Sequence, residues 1–413
     1  MEKRRVVITG LGAATALGTS AEGTWENMLA GKNGVAILEH FDTSEFPVKF
    51  GAYIKDFDGD ERFGKSEARK IDRSSQLAVH CADEAIQDAD LSADRENVER
   101  IGVIMGSGIG GISETETQHA RLLEKGPRKV SPFLVPKMMV NSMSGQIAIR
   151  HGYQGPNFAT ASACASAGHA LGMALRTIQY NDADVMIAGG AEAAVTPLTL
   201  AGFCSLKALS TRNDDPAHAS RPFDRDRDGF VLGEGASVMV LEELEHAKKR
   251  GAKIYAELVG FANNDDAYHI TAPSPDGRGA ARALQLAVAD ARIDPALVDY
   301  INAHGTSTPY NDKSETAAIK AAFGDHARKI AVSSTKSMIG HLLGASGAVE
   351  LMVCVMSVFR NVVPPTINYQ TKDPECDLDY VPNEAREMRV RYAMSNSLGF
   401  GGHNTSLIVG KID

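Results

Sequence analysis

The sequence predicts an α/β protein built from two equivalent halves, and three observations point there. Apolar, β-rich runs alternate with alanine-rich helical patterns along the whole chain, as expected for largely buried sheets with helices on their faces. Short sequence matches recur in the same order in the first and second parts of the chain. The 413 residues are 43% apolar and 23% charged. That is ordinary globular composition, with room for two or three domains at roughly 150 residues each.

Strands are expected at residues 5–8, 101–105, 185–188, 237–241, 300–303, 330–333 and 406–409, all short runs dominated by apolar or β-branched residues. Helices are expected at 75–89, 166–179, 279–291, 314–322 and 345–359, where apolar positions recur at helical spacing. The basic start resembles a signal peptide, but Gly10, Gly12 and Gly18 interrupt its apolar run. It reads as a strand and turn. The apolar stretch 342–359 contains Gly344, Gly347 and Glu350 and reads as a buried core helix rather than a membrane span.

The repeat has three parts. Gln76-Leu-Ala-Val79 opens a helix leading to strand 101–105, Gly106 and Ser113-Glu-Thr115. Gln285-Leu-Ala-Val288 leads in the same way to strand 300–303, Gly305 and Ser314-Glu-Thr316. Cys164-Ala-Ser166 and Gly344-Ala-Ser346 then each begin an alanine-rich helix. The charged stretch 242–253 divides a first half, 1–253, from a second, 254–413. A site at their junction would draw on both.

A net charge of −9 argues against a general nucleic-acid or anionic-membrane binder. Five cysteines, widely spaced and without a C-x-x-C pair, argue against a disulfide scaffold or a cysteine zinc site. They fit a reducing compartment, hence a soluble cytoplasmic protein.

Gly106-Ser-Gly108-Ile-Gly-Gly111 satisfies the dinucleotide-binding G-x-G-x-x-G pattern after a strand. No second strand ending in an acidic residue follows about twenty positions on, as that site requires. The segment reads instead as a glycine turn allowing close backbone approach.

Cys164 lies in Ala159-Thr-Ala-Ser-Ala-Cys164-Ala-Ser-Ala-Gly168, small residues that leave a thiol accessible at a helix start, where N–H groups would favour the thiolate. Cys81, Cys204, Cys354 and Cys376 read as structural. Of twelve histidines, His304 and His341 sit in glycine-rich turns of the second half, opposite the cysteine. Together the three suggest acyl transfer through a thioester, with imidazoles stabilising developing negative charge. Glu350 falls inside an apolar helix and needs a cation, and Lys336 is close enough along the chain to supply it.

Five motifs in order now carry a resemblance: Ala161-Ser-Ala-Cys164-Ala-Ser-Ala, Ser220-Arg-Pro-Phe-Asp224 with Asp228-Gly-Phe-Val-Leu-Gly-Glu-Gly235, Asn302-Ala-His304-Gly-Thr-Ser-Thr308-Pro, Lys336-Ser-Met-Ile-Gly-His341, and Asn396-Ser-Leu-Gly-Phe400-Gly-Gly. From Val6 to the C-terminus the chain resembles the β-ketoacyl-acyl carrier protein synthases, elongating condensing enzymes of the thiolase superfamily. Val363-Pro-Pro-Thr-Ile-Asn368 and Cys376-Asp-Leu-Asp-Tyr-Val-Pro382 resemble their type II more than their type I members.

The resemblance implies a thiolase fold of layered α-β-α-β-α structure, a homodimer, and decarboxylating Claisen condensation of malonyl-acyl carrier protein with an acyl chain held on Cys164. It makes Cys164 the nucleophile, His304 and His341 the decarboxylation site, and Lys336 and Glu350 their supporting pair. The backbone N–H groups of Cys164 and Phe400 would form the oxyanion hole, with Phe400 gating the acyl channel. Thr306 and Thr308 would meet the pantetheine arm, with Phe203, His269 and Thr271 nearby. Ile109 would lie at the acyl pocket near the dimer interface. No metal and no organic cofactor is expected for catalysis. Polyketide ketosynthases share every motif. A non-catalytic chain-length partner would lack Cys164.

The carrier is acidic, so a local basic face is expected despite the overall charge. Arg62, Lys65, Arg69, Lys70 and Arg73 form one set, and Lys125, Arg128, Lys129 and Lys137 a second. Lys207 stands where an arginine is common. Such patches steer docking and weaken with salt.

Overall fold

A computed structural model of the chain describes residues 3–412. The first part runs β1 (Val6–Ala14), α1 (Arg73–Asp88), β2 (Ile101–Gly106), α2 (Ile112–Lys125), α3 (Ser142–His151), β3 (Asn157–Thr160), α4 (Ser166–Gln179), β4 (Val185–Glu192) and β5 (Gly235–Glu243). The second runs β6 (Ala256–Asp265), α5 (Arg278–Ala291), β7 (Val298–Asn302), α6 (Pro309–Phe323), β8 (Ala331–Ser333), α7 (Ser346–Arg360), β9 (Tyr392–Gly399) and β10 (His403–Gly410). The strands lie in the order β8-β7-β9-β10-β6-β1-β5-β4-β2-β3. Adding five to each label of the order β3-β2-β4-β5-β1 gives the other side of the sheet. Among the described residues the two sets of five strands pair only through β1 and β6, Val7 opposite Glu257 and Ile8 opposite Ala256.

Helices α1 and α3 cover one face of the first set, and α5 with α6 covers the second. Between the sets lie α4 and α7, touching each other and strands of both. This stack is the α-β-α-β-α layering expected. The stretch Leu343–Arg360 is long and apolar enough to cross a membrane, yet 89% of it is buried inside the protein. Each fully buried leucine or methionine in it contributes about 1.5–3 kcal/mol relative to exposure.

Every expected helix forms, and so does every expected strand, with modest changes at the ends. The stretch expected to turn at Gly10 and Gly12 is instead extended through Ala14, and the turn comes at Thr15–Gly18. Helix α1 crosses β1 so closely that a Cβ at Gly12 would lie 1.9 Å from the Cys81 carbonyl oxygen. Those glycines serve packing rather than turning. Strands β3, β6 and β9 escaped the sequence reading because small and polar residues, such as Ser395, Asn396 and Ser397 in β9, occupy buried positions in them or leave them near the edge.

The repeat is partly structural. Gln76 and Gln285 lie in α1 and α5, which hold equivalent places. Cys164 and Gly344 each follow a residue at φ 48°, Ala163 and Leu343. The third match differs: Ser113 lies in α2, which packs on residues 134–138 away from the sheet, whereas Ser314 lies in α6 beside α5.

Where the first set ends, buried Glu242 accepts hydrogen bonds from Arg250 and Thr9, and His246 bridges Glu242 (2.6 Å) to Glu96 (2.9 Å). The hydrogen bond to Glu242 raises the His246 pKa. A raised histidine stabilises the fold fully below its unfolded value of about 6.5, and the gain fades as pH rises past the folded value. The urea midpoint should therefore decline above about pH 6.5 in the native protein. In His246→Gln that decline should be weaker; an unchanged slope would remove His246 from the account.

Candidate active site

Cys164 sits on the turn between β3 and α4. Ala163 at φ 48° makes the turn sharp, and Ser166 Oγ ties it by accepting the Ser162 N–H (2.9 Å) and donating to the Ala163 carbonyl (2.7 Å). The thiol is not open as the small neighbours suggested: Cys164 is 8% exposed. Nor is it lowered. Burial pushes its pKa up to about 11, against the opposing pull of the Lys336 charge and the Phe400 N–H, while Glu192 and Glu350 push it further up. Helix α4 begins two residues later, and dehydration outweighs its dipole. In the unliganded protein, alkylation of Cys164 by iodoacetamide should rise about tenfold per pH unit through the neutral range, toward a limit near 11. A plateau near pH 8 would contradict this.

His304 follows β7 and His341 precedes α7, so each comes from the turn ahead of a helix. The N–H groups of His304 and Gly305 donate to the two oxygens of Glu315, both at 2.8 Å. Glu315 is buried on α6, and burial pushes it up to about 7. His341 Nε2 lies 3.1 Å from Cys164 Sγ, and its Nδ1 lies 2.9 Å from Ser346 Oγ. The two imidazole rings stand nearly perpendicular, centroids 5.3 Å apart. Burial, reinforced by the charge of Lys336, holds both pKa values well below the usual histidine range, so both rings are neutral at pH 7.

Protonation detail follows from the partners. Lys336 Nζ lies 3.5 Å from His304 Nδ1 and can only donate, which leaves the hydrogen of His304 on Nε2. The Ser346 hydroxyl can donate or accept, so His341 can present Nε2 either as a base to the thiol or as a donor. Lys336 itself is paired with Glu350, both side chains 2% exposed. Cys164 Sγ and one nitrogen of each histidine lie within 4.8 Å of one another, a spacing that would also admit a soft metal ion. The Lys336 ammonium on Nδ1 favours His304 as a hydrogen-bond donor over His304 as a ligand.

These groups open on a cavity of about 490 Å³. Its wall includes Cys164, His304, His341, Ile109, Phe203, Lys207, Thr271, Thr306, Thr308 and Phe400. His269 is exposed and not part of the wall; its ring accepts the N–H groups of Thr271 and Ala272 (3.1 Å each) and shapes their loop. The Phe400 N–H points at the cysteine sulfur. Gly399 lets that approach happen, because a Cβ there would lie 3.0 Å from the Ser162 carbonyl and 3.2 Å from the Cys164 nitrogen. Ser220-Arg-Pro-Phe-Asp224 works behind the wall: the Arg221 N–H donates to Ser307 Oγ, Phe223 N–H to Asp312, and Arg227 bridges Asp312 and Asp373.

The basic residues divide. Lys65, Arg69, Arg128, Lys129 and Lys207 are exposed, as are Lys70, paired with Glu67, and Lys125, beside Glu124. Arg62 pairs with Asp83. Arg73 turns inward to Glu234 and over the Tyr53 ring (4.6 Å), and Lys137 is held by Glu114 with 12% of its side chain exposed, so both leave the expected docking face.

The sequence reading missed Glu192, Glu315 and Ser346. Glu315 lay inside a repeated motif and Glu192 closes an apolar strand, the same signal that singled out Glu350. The glycine turn 106–111 wraps Glu192 rather than a phosphate.

Comparison with known proteins gives the family. The β-ketoacyl synthase N-terminal domain matches residues 3–247 and its C-terminal domain residues 255–370. The chain is 54% identical over 407 residues to 3-oxoacyl-[acyl-carrier-protein] synthase 2 of Synechocystis, covering 98% of each chain. It is 52% identical to the enzyme of that name from Vibrio harveyi over the whole of both chains. Among solved structures, a β-ketoacyl synthase from Burkholderia phymatum superposes with TM-score 0.92 at 39% identity, over 99% of this chain and 100% of that one. A type II polyketide ketosynthase solved in complex with its acyl-carrier protein superposes with TM-score 0.91 at 35% identity over the whole of both. The chain belongs to the β-ketoacyl synthase family and is a condensing acyltransferase of fatty-acid elongation.

Proposed function

We propose that the condensation runs through an acyl thioester on Cys164 and a malonyl group decarboxylated between His304 and His341. The observation that carries this is the convergence of one thiol and two neutral imidazoles from opposite halves on one buried cavity. Acyl-carrier protein delivers the chain. His341 Nε2 takes the thiol proton as sulfur attacks the thioester carbonyl, and the N–H groups of Cys164 and Phe400 receive the oxyanion. The carrier leaves as a thiol with that proton. Malonyl-carrier protein then enters along Thr306 and Thr308 and loses CO₂, and the enolate oxygen accepts from both histidines. Its C2 attacks the acyl-cysteine and the C–S bond breaks, releasing β-ketoacyl-carrier protein and the Cys164 thiolate, which takes a proton from solvent. None of these steps calls on a cofactor.

Phe400, at the mouth of the cysteine, is the gate, Ile109 bounds the acyl space, and Phe203 lies beside the pantetheine arm. Thr271, in the cavity wall, also lies beside that arm, its loop shaped by His269. Exposed Lys65, Arg69, Lys70, Arg128, Lys129 and Lys207 receive the acidic carrier. The chain works in the cytoplasm as a homodimer of two-half subunits divided near residue 253. Edge strand β3 with exposed Phe158, and exposed Phe133, Val135, Met138 and Met139 nearby in sequence, support such an interface. Fatty-acid rather than polyketide elongation is supported by the higher identity to the synthase 2 enzymes.

The test supplies malonyl-carrier protein with acyl-carrier proteins of about six to sixteen carbons and measures β-ketoacyl product, with Cys164→Ala alongside. Cysteine-dependent product across medium and long chains is expected. No product from folded protein would overturn the reading and shift it to a polyketide or partner role.

A further inference from the structure

Glu192 ends β4 with no measurable exposure, and among the described residues its hydrogen-bond partners include no cation. Its carboxylate accepts four hydrogen bonds instead: from Ser107 Oγ (2.7 Å), Gly108 N–H (2.6 Å), Ile109 N–H (3.2 Å) and Gly344 N–H (3.0 Å). Four donors match the acceptor capacity of one ionised carboxylate. Ser107 Oγ in turn accepts the Gly110 N–H (2.9 Å), so the whole turn 107–110 hangs on one side chain. Three donors come from the glycine turn that carries Ile109 into the cavity wall. The fourth comes from Gly344, the counterpart of Cys164 in the second half. A Cβ at Gly344 would lie 2.1 Å from the Gly108 nitrogen and 2.6 Å from Glu192, so the two turns are pressed together around this carboxylate. Successive N–H groups of this kind form an anion nest, filled here from within the protein.

We infer that Glu192 is a positioning residue for acyl-chain selection, fixing Ile109 as a rigid stop by clamping its turn to the opposite half. The inference rests on the reading of this cavity as the acyl-binding site. A rigid wall rejects a chain one or two carbons too long. A wall released from its clamp yields, and the discrimination flattens.

The test measures kcat/KM for acyl-carrier proteins in two-carbon steps for the native protein, Glu192→Gln, Ser107→Ala and Ile109→Phe, together with decarboxylation of malonyl-carrier protein. In Glu192→Gln an amide N–H₂ faces the backbone donors and at least two of the four bonds are lost. The expected result is a fall of at least fivefold in the preference for the longest accepted primer over the next longer one. Decarboxylation should stay within about threefold, since it happens at the histidines. Ser107→Ala removes one donor and should move the profile in the same direction by less. It serves as the readout where Glu192→Gln does not fold. A uniform change across all chain lengths would overturn the inference, because removing a charge that acts on Cys164 or loosening the fold at large affects every primer alike. Ile109→Phe separates the two levels. If it shortens the accepted chain while Glu192→Gln and Ser107→Ala leave the profile intact, only the clamp is wrong. If Ile109→Phe changes nothing, the acyl-site reading fails and takes the clamp with it.

Discussion

Glu350→Ala should lower folding stability by about 3–5 kcal/mol, the usual result of stranding one partner of a buried ion pair. Lys336 and Glu350 are each 2% exposed, and Lys336 has no other carboxylate within bonding range among the described residues. Removing Glu350 leaves an ammonium that must be dehydrated without compensation or lose its proton. Burial pushes the Glu350 pKa up against the opposing pull of the Lys336 charge. Chemical unfolding would measure the loss. The paired change Lys336→Met with Glu350→Leu should recover most of it, since two packed apolar side chains replace a costly pair. That double variant should fold yet condense poorly, because nothing then fixes the hydrogen of His304 on Nε2. Full activity in the double variant would show that the pair serves the fold alone.

The second large effect separates the histidines. Removing one preorganised oxyanion donor costs about 10²–10³ in rate, so His304→Ala and His341→Ala should each slow malonyl decarboxylation by that order. Only His341 touches Cys164, at 3.1 Å. His341→Ala should therefore also slow loading of the acyl chain onto the cysteine, whereas His304→Ala should load within a few-fold of the native rate. Single-turnover acylation followed by mass of the intact protein gives the first number, and CO₂ release gives the second. Equal acylation defects in both variants would contradict these roles.

Much of this candidate site was legible because its residues are uncommon types in uncommon company. A cysteine among alanines and serines, and histidines beside glycines, stand out from any helical or strand pattern. So did Glu350 inside an apolar helix, and its partner was found because Lys336 lies only 14 positions before it. What escaped depends on contacts distant in sequence. Arg73 looks like its basic neighbours until Glu234, 161 positions on, draws it inward. The pKa of Cys164 follows from how completely it is buried, and no local motif carries that. The fold divides in the same way: α4 and α7 show in their own periodicity, while β9 is held by its place between β7 and β10, not by its serines and asparagine.

The burial of Cys164 has a consequence for survival under oxidative stress. Peroxide attacks thiolates rather than thiols. With a pKa of about 11, the resting sulfur at pH 7.5 is ionised about 300-fold less than an ordinary cysteine near 8.5. If Cys164 holds the acyl chain as proposed, the idle enzyme should resist irreversible overoxidation through the same dehydration that slows its attack. On the proposed mechanism, reactivity waits for a bound thioester with a carbon to attack and for His341 to take the proton.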